Sequence, residues 1–257
     1  MQFRSLAYFS LALLSATSHA AAQFAEPILT RTAVPNPAGT VSLKFDFVSP
    51  VEQTAGVSTQ AIPESRLEVG LGRGFATVLQ MPMLRVSEPA GNSVLAGGQF
   101  SVALQYLVAG SPTARYAVSV WGRLEVPTGS SAIVGNATQL MPAVLAEWHA
   151  TPRLLFESNI AWNTTVGSSS GKFANFQHAN AVVWLVNRHF MPVFEFAGST
   201  NTFNGSTQLV IQPEVIVAQI QHLEFKTGFS VALLPSPHYA IRSQVAWFWG
   251  ERKSDSP

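Results

Sequence analysis

The chain has 257 residues, of which 47% are hydrophobic and only 11% charged, with no cysteine and a formal net charge of +1. Soluble domains carry roughly 25% charged residues, so an ordinary soluble domain is a poor fit. Near-neutral charge without Arg/Lys clusters argues against nucleic acid as a partner, and the absence of cysteine removes disulfides, thiolate nucleophiles and Cys-based metal sites.

Mean hydropathy is positive. Yet beyond residue 20 the chain never offers the roughly 18 consecutive apolar residues that a spanning helix needs. A chain that is apolar overall but never continuously so suits a transmembrane β-barrel, where every second residue faces lipid.

The N-terminus reads as a secretory signal over residues 1–20. Arg4 supplies the positive region, Leu6–Ala16 the apolar one, and cleavage is expected after Ala20 or Ala22. Residues 21–39 are rich in Pro and Ala and lack periodicity. They are taken as a periplasmic N-terminal tail, since the segment is short for a plug inside a barrel.

From Val41 onward, apolar and polar residues alternate with the period of a strand. Val41–Val48 sets Val41, Leu43, Phe45 and Phe47 against Ser42, Lys44 and Asp46. Val57–Gly72 and Phe75–Leu84 form a hairpin across Arg73-Gly74. Gln99–Val108 sets Phe100, Val102, Leu104 and Tyr106 against Gln99, Ser101 and Gln105. Arg115–Val126, Thr138–His149, Arg153–Thr164, Phe173–Asn187, His189–Thr202 and Gln208–Gln219 follow. The last hairpin, His222–Trp249, is the clearest: Leu223, Phe225, Phe229, Val231 and Leu233 oppose Glu224, Lys226 and Ser230, and Tyr239, Ile241, Val245, Trp247 and Trp249 oppose Arg242 and Gln244.

The fold expected is all-β: a single-chain transmembrane antiparallel β-barrel over residues 40–249, of about 12 strands, with a polar C-terminal tail at 250–257. Short turns near Arg73, Ser111, Thr151, Arg188 and Gln221 alternate with longer Gly/Ser/Pro/Asn segments. That alternation marks tight periplasmic turns and longer extracellular loops. An even strand count leaves both ends on the periplasmic side, with the last strand sealing against Val41–Val48. The location implied is the bacterial outer membrane.

If the apolar faces meet lipid, the others line the interior. The pore-lining residues expected are Arg66, Glu68, Arg123, Glu125, Glu147, Arg153, Glu157, Glu195, Glu214, Glu224, Lys226, Arg242 and Gln244. Charges sort to this side because Arg or Lys at mid-bilayer on the lipid face costs about 2–4 kcal/mol. The set is nearly balanced in sign. Two readings follow: salt-bridge networks that fix the barrel's shape and partly close it, or a constriction that selects a small solute.

The run Pro63-Glu64-Ser65-Arg66-Leu67-Glu68-Val69-Gly70-Leu71-Gly72, leading into Phe75–Leu84 with Gln80-Met81-Pro82, resembles a hairpin of the outer-membrane family named for a MetA pathway of phenol degradation. The closing Pro235–Trp249 run, with Arg242 and Gln244, is also similar. The resemblance implies a barrel of transport function, sometimes associated with aromatic-compound catabolism. It covers roughly residues 40–249 in layout and two patches in wording. One departure is that Gly250–Pro257 follows the aromatic Trp247-Phe248-Trp249, where many such barrels end on the aromatic residue that the barrel-assembly machinery reads.

The function expected is passive uptake of small solutes, hydrophobic or aromatic compounds among them. The alternatives are a closed structural or adhesion barrel and a lipid-modifying enzyme. The enzymatic reading lacks a pattern: no HExxH or P-loop occurs, and His178-Ala179-Asn180 lacks an adjacent nucleophile. No catalytic residue, metal or cofactor is assigned. The partners expected are outer-membrane lipid, a small-molecule solute and the assembly machinery.

Overall fold

The computed structural model describes residues 29–50, 58–87, 93–111, 113–129, 137–166, 174–187, 189–220, 222–234 and 238–250. The expected signal at 1–20, residues 21–28 of the expected tail and the end of the chain beyond 250 lie outside these.

The described residues form strands β1 (Val41–Pro50), β2 (Ser58–Gly72), β3 (Phe75–Ser87), β4 (Ser93–Gly97), β5 (Phe100–Gly110), β6 (Tyr116–Val126), β7 (Thr138–Thr151), β8 (Leu154–Val166), β9 (Ala174–Trp184), β10 (Met191–Asn201), β11 (Thr207–Ile220), β12 (Leu223–Leu234) and β13 (His238–Trp249). Every pairing is antiparallel and joins neighbours in sequence except that β3 pairs with both β4 and β5, and β1 pairs with both β2 and β13, which closes the sheet on itself. Closure leaves no edge with unpaired backbone groups, which lipid does not tolerate. The expected seal is present, with Val41 opposite Trp249 and Asp46 opposite Gln244.

Strand β4 falls within an expected loop. It pairs with the far half of β3 (Met83–Ser87), while β5 pairs with the near half (Phe75–Gln80). The two short partners share one wall position, so the barrel has twelve positions, as expected. The sequence shows Gly97-Gly98 at the junction, which breaks the alternation there.

Each strand turns apolar side chains outward. On β5, Leu104 is 50% exposed while its neighbour Gln105 is 3% exposed. Val120, Val144 and Ile160 sit side by side on the outer face of β6, β7 and β8. Aromatic rings gather near the short-turn end: Phe75 stacks on Tyr106 at 4.4 Å, Trp148 on Phe156 at 5.6 Å, and Trp247 lies 6.1 Å from Trp249. Toward the other end, Trp162 lies opposite Phe176 and Phe229 stacks on Tyr239 at 5.9 Å. Two aromatic girdles around an apolar belt are what a bilayer selects. The protein is an outer-membrane β-barrel.

The tight β2–β3 turn needs Gly72 at φ 88°, Arg73 at φ 52° and Gly74 at φ 80°. Glycine adopts such angles without the Cβ clash other residues suffer.

Candidate functional site in the barrel interior

The barrel interior holds an irregular strand of the chain itself. Residues 29–40 run inside the wall from the short-turn end. Gly39 N–H donates to the Gly70 carbonyl at 3.0 Å, and Gly70 N–H donates to the Thr40 carbonyl at 2.9 Å. Gly70 faces inward here, and a Cβ on it would stand 1.9 Å from the Pro37 carbonyl oxygen. Only glycine admits the segment at that height.

An irregular backbone inside a barrel cannot make a strand ladder, yet its buried polar groups must find partners. The wall supplies them. Glu195 on β10 accepts from Leu29 N–H at 2.9 Å and from Thr30 N–H at 2.8 Å. Glu147 on β7 accepts from the Thr32 hydroxyl at 2.7 Å, Ala33 N–H at 3.1 Å and Val34 N–H at 3.3 Å. Gln105 on β5 donates to the Thr32 and Ala33 carbonyls, each at 3.1 Å, and Ser119 on β6 also donates to the Ala33 carbonyl. The Asn159 amide, oriented toward the segment, donates to the Arg31 carbonyl at 3.0 Å. Arg31 pairs with Glu68 on β2 at 2.9 Å and lies over the Trp121 ring at 5.4 Å.

Residues 29–39 are therefore not a periplasmic tail. Three wall carboxylates, Glu68, Glu147 and Glu195, draw them into the lumen. Apolar contacts complete the seat: Ala33 and Val34 are buried against Val78, Ala103, Ala117, Trp121 and Leu145. On the adjoining wall, near the short turns, Leu155, Val183, Leu185, Met191, Val193 and Ile216 form a second buried cluster.

Most residues expected in the interior face it. Lys44 pairs with Glu68 at 2.8 Å, and Arg66 lies 3.4 Å from Glu68 and 3.9 Å from Asp46. Gln244 donates to Asp46, which joins β13 to β1. Arg123 pairs with Glu125 at 3.4 Å and Lys226 with Glu224 at 3.1 Å. Gln212 donates to Glu195 and Glu214, each at 3.0 Å, and Arg242 donates through Nε to the Ser230 hydroxyl at 2.9 Å. Glu157 on β8 stands opposite Glu147. Gly228 leaves room for the Gln212 side chain, whose Cγ would lie 3.0 Å from a Cβ there.

Arg153 is the exception. It lies in the β7–β8 turn and is exposed, outside the lumen. The turn takes Pro152-Arg153, so the alternating pattern begins only at Leu154.

Trp121 escaped the sequence reading although its position signalled it. It shares its parity with Ser119 and Arg123, so it points inward, 5% exposed, between the guanidinium groups of Arg31 and Arg123 at 5.4 and 5.8 Å from the ring centroid. By residue type alone an aromatic side chain in an apolar-rich strand points to the lipid face, and only its parity points inward.

The outer face of β8 and β9 carries a polar cluster. The Ser158 hydroxyl donates to Asn180 Oδ1 at 2.8 Å, Asn180 Nδ2 lies 3.4 Å from His178 Nδ1, and His178 stacks on Phe196 at 5.3 Å. A serine thus does come close to His178-Ala179-Asn180, from the adjacent strand. Its hydroxyl bonds the amide rather than the imidazole, whereas activating a serine requires the base within hydrogen-bond reach. Among the described residues no group of three or more His, Asp or Glu side chains is placed to hold a metal ion.

Between the buried segment and the far end of the barrel lies a cavity of about 370 Å³. Arg31, Arg66, Arg123, Trp121 and Met141 line it, with Leu29 of the inner segment at its floor.

Comparison of the sequence with protein-family models and with curated proteins gives no match. Comparison of folds does. An outer-membrane channel from Pseudomonas putida F1 superimposes with a TM-score of 0.67, over 84% of this chain and 98% of that one, at 10% identity. The KdgM porin superimposes with a TM-score of 0.55, over 81% and 99%, at 10% identity. The same porin in complex with disordered oligogalacturonate gives 0.54, over 82% and 99%, at 9% identity. The chain shares the closed antiparallel barrel fold of these outer-membrane channels and porins.

Proposed function

We propose that the protein is an outer-membrane channel for small solutes with hydrophobic or aromatic bodies, and that residues 29–40 are a displaceable plug within it. The observation that carries this reading is how the lumen is filled. Its polar wall is satisfied by an irregular chain segment, rather than only by wall-to-wall pairs or by a packed apolar core. At the level of that segment Glu195, Gln212, Lys226 and Gln244 are fully shielded from solvent, so the passage is shut there. Every polar contact holding the segment is one that water can replace. A barrel of this size lies between the filled eight-strand type and the wide aqueous porins, which suits small solutes once the segment moves.

The chain has no cysteine, so one engineered disulfide can lock the plug. Ala33→Cys with Ser119→Cys joins the segment to β6, where Ser119 bonds the Ala33 carbonyl. The oxidised double variant is expected to be silent in planar bilayers and to conduct after reduction, while the native protein shows intermittent openings. A closed structural barrel, favoured by the same shielded layer, predicts no conductance in either redox state. Equal conductance before and after reduction would remove the plug from the mechanism.

A further inference from the structure

We infer that the cavity above the plug is a binding site for a small organic anion, a carboxylate carried on a flat apolar body. This deepens the channel reading and rests on it for its biological sense, though not for its chemistry. Three cationic side chains, Arg31, Arg66 and Arg123, line the cavity, and no carboxylate does. The carboxylates that pair with them stand behind: Glu68 contacts Arg31 and Arg66, Asp46 lies at the far reach of Arg66, and Glu125 pairs with one nitrogen of Arg123. Glu64 is engaged by Gln80, which itself lines the cavity. The surface presented to a solute is therefore guanidinium, with its negative partners facing the wall.

Two buried donors on the lining residues are unmet. Arg123 uses Nη2 for both Glu125, at 3.4 Å, and the Met141 sulfur, at 3.7 Å, and its Nε has no hydrogen-bond partner. The Trp121 indole N–H has none either, although the residue is 95% shielded (5% exposed). Buried donors without partners are costly to leave unmet. A carboxylate is the group best shaped to meet them, since a guanidinium offers a planar fork and its bonds to an anion are charge-assisted. The rest of the lining combines aliphatic groups, Leu29, Met141 and Val210 among them, with the amides of Gln80, Asn159, Gln177 and Gln208. The Trp121 ring and the aliphatic groups offer a flat apolar body a surface to lie on. The volume is that of a small-ligand site, at the lower end of the roughly 300–1,000 Å³ usual for such pockets. An amine placed here would face like charge, and a neutral amide would forgo the charge-assisted bonds that a carboxylate makes with a guanidinium.

The test uses the full-length purified protein in detergent, with benzoate, benzamide and benzylammonium as matched probes, followed by calorimetry and Trp fluorescence. Saturable benzoate binding is expected, weakening as salt rises, with benzamide at least tenfold weaker and benzylammonium silent. Arg123→Gln is expected to weaken benzoate at least tenfold. Trp121→Phe keeps the ring but removes the donor, and is expected to weaken it several-fold. Benzamide or benzylammonium binding as tightly as benzoate, no saturable benzoate binding, or unchanged benzoate affinity in the folded Arg123→Gln variant would each overturn the site. Binding is read without conduction. Benzoate affinity in a protein that never conducts would fell the channel and leave the site; conductance without benzoate affinity would do the reverse.

Discussion

Glu195 accepts a hydrogen bond from the backbone N–H of Thr30 at 2.8 Å, across 165 residues of sequence. The contact is buried, and the same carboxylate also takes Leu29 N–H at 2.9 Å and the Gln212 amide at 3.0 Å. One side chain of β10 thus ties the inner end of the plug to the wall.

Loss of that carboxylate should free the inner end while the barrel persists. Hydrogen bonds to charged groups contribute about 1.5–3 kcal/mol each, so Glu195→Ala is expected to speed amide exchange at Leu29 and Thr30 by about ten- to a hundredfold. Exchange at Ala33 and Val34, held by Glu147, should change less. Hydrogen-exchange mass spectrometry on the detergent-solubilised protein reads both, and native-like exchange at Leu29 would show that Glu195 does not hold the segment.

At the mouth of the barrel the plug is admitted by the absence of a side chain. A Cβ on Gly70 would lie 1.9 Å from the Pro37 carbonyl oxygen and 2.5 Å from that of Asn36. Gly70→Val is expected to expel residues 36–39 from the mouth, raising open probability in planar bilayers and making the segment cleavable by added protease. The barrel itself should still migrate as a folded, heat-modifiable band. A variant as protease-resistant and as silent as the native protein would mean that the close approach is not limiting.

The outer belt is set by lipid. Val144 lies in the middle of β7, 49% exposed, flanked by Val120 and Ile160. Val144→Arg is expected to destabilise the barrel in vesicles by about 2–4 kcal/mol, and Val144→Ile by far less. Denaturant unfolding in phospholipid vesicles measures the difference, and equal stability of the two variants would argue against a bilayer at this height.

Inside, Lys226 and Glu224 form an ion pair at 3.1 Å with almost no exposure to solvent. Breaking a buried pair strands a charge, so Lys226→Met alone is expected to cost about 3–5 kcal/mol, whereas adding Glu224→Leu should recover most of the loss. A double-mutant cycle on unfolding free energy supplies the coupling, and strict additivity would show that the pair does not act as a unit.

Much of the barrel is legible in sequence because its cause is local. Lipid rejects charge at every second position, so Leu104 and Gln105, or Lys226 and Phe225, sort to opposite faces by parity alone. The closing β1–β13 pair follows from the same patterns. Strand β9 was harder to read, since its outer face mixes His178 and Asn180 with Phe176 and Val182. Polar residues there blur the contrast that parity depends on. Trp121 shows the converse: parity places it inside, but residue type alone suggests lipid.

The sequence by itself therefore determined a two-faced strand repeat and which charges turn inward, because each depends on neighbours two positions apart; closure into a barrel follows from that repeat, since an open edge would leave backbone groups unpaired in lipid. Only the tertiary structure decided what those charges meet. That Glu195, Glu147 and Glu68 converge on residues 29–36, that Gly70 opens the mouth for Pro37, and that Arg31, Arg66 and Arg123 share one cavity all depend on the stagger of strands around the barrel. Stagger brings side chains from distant strands to a common height. The backbone N–H groups that complete the arrangement are carried by nearly every residue, and so leave no mark in the sequence.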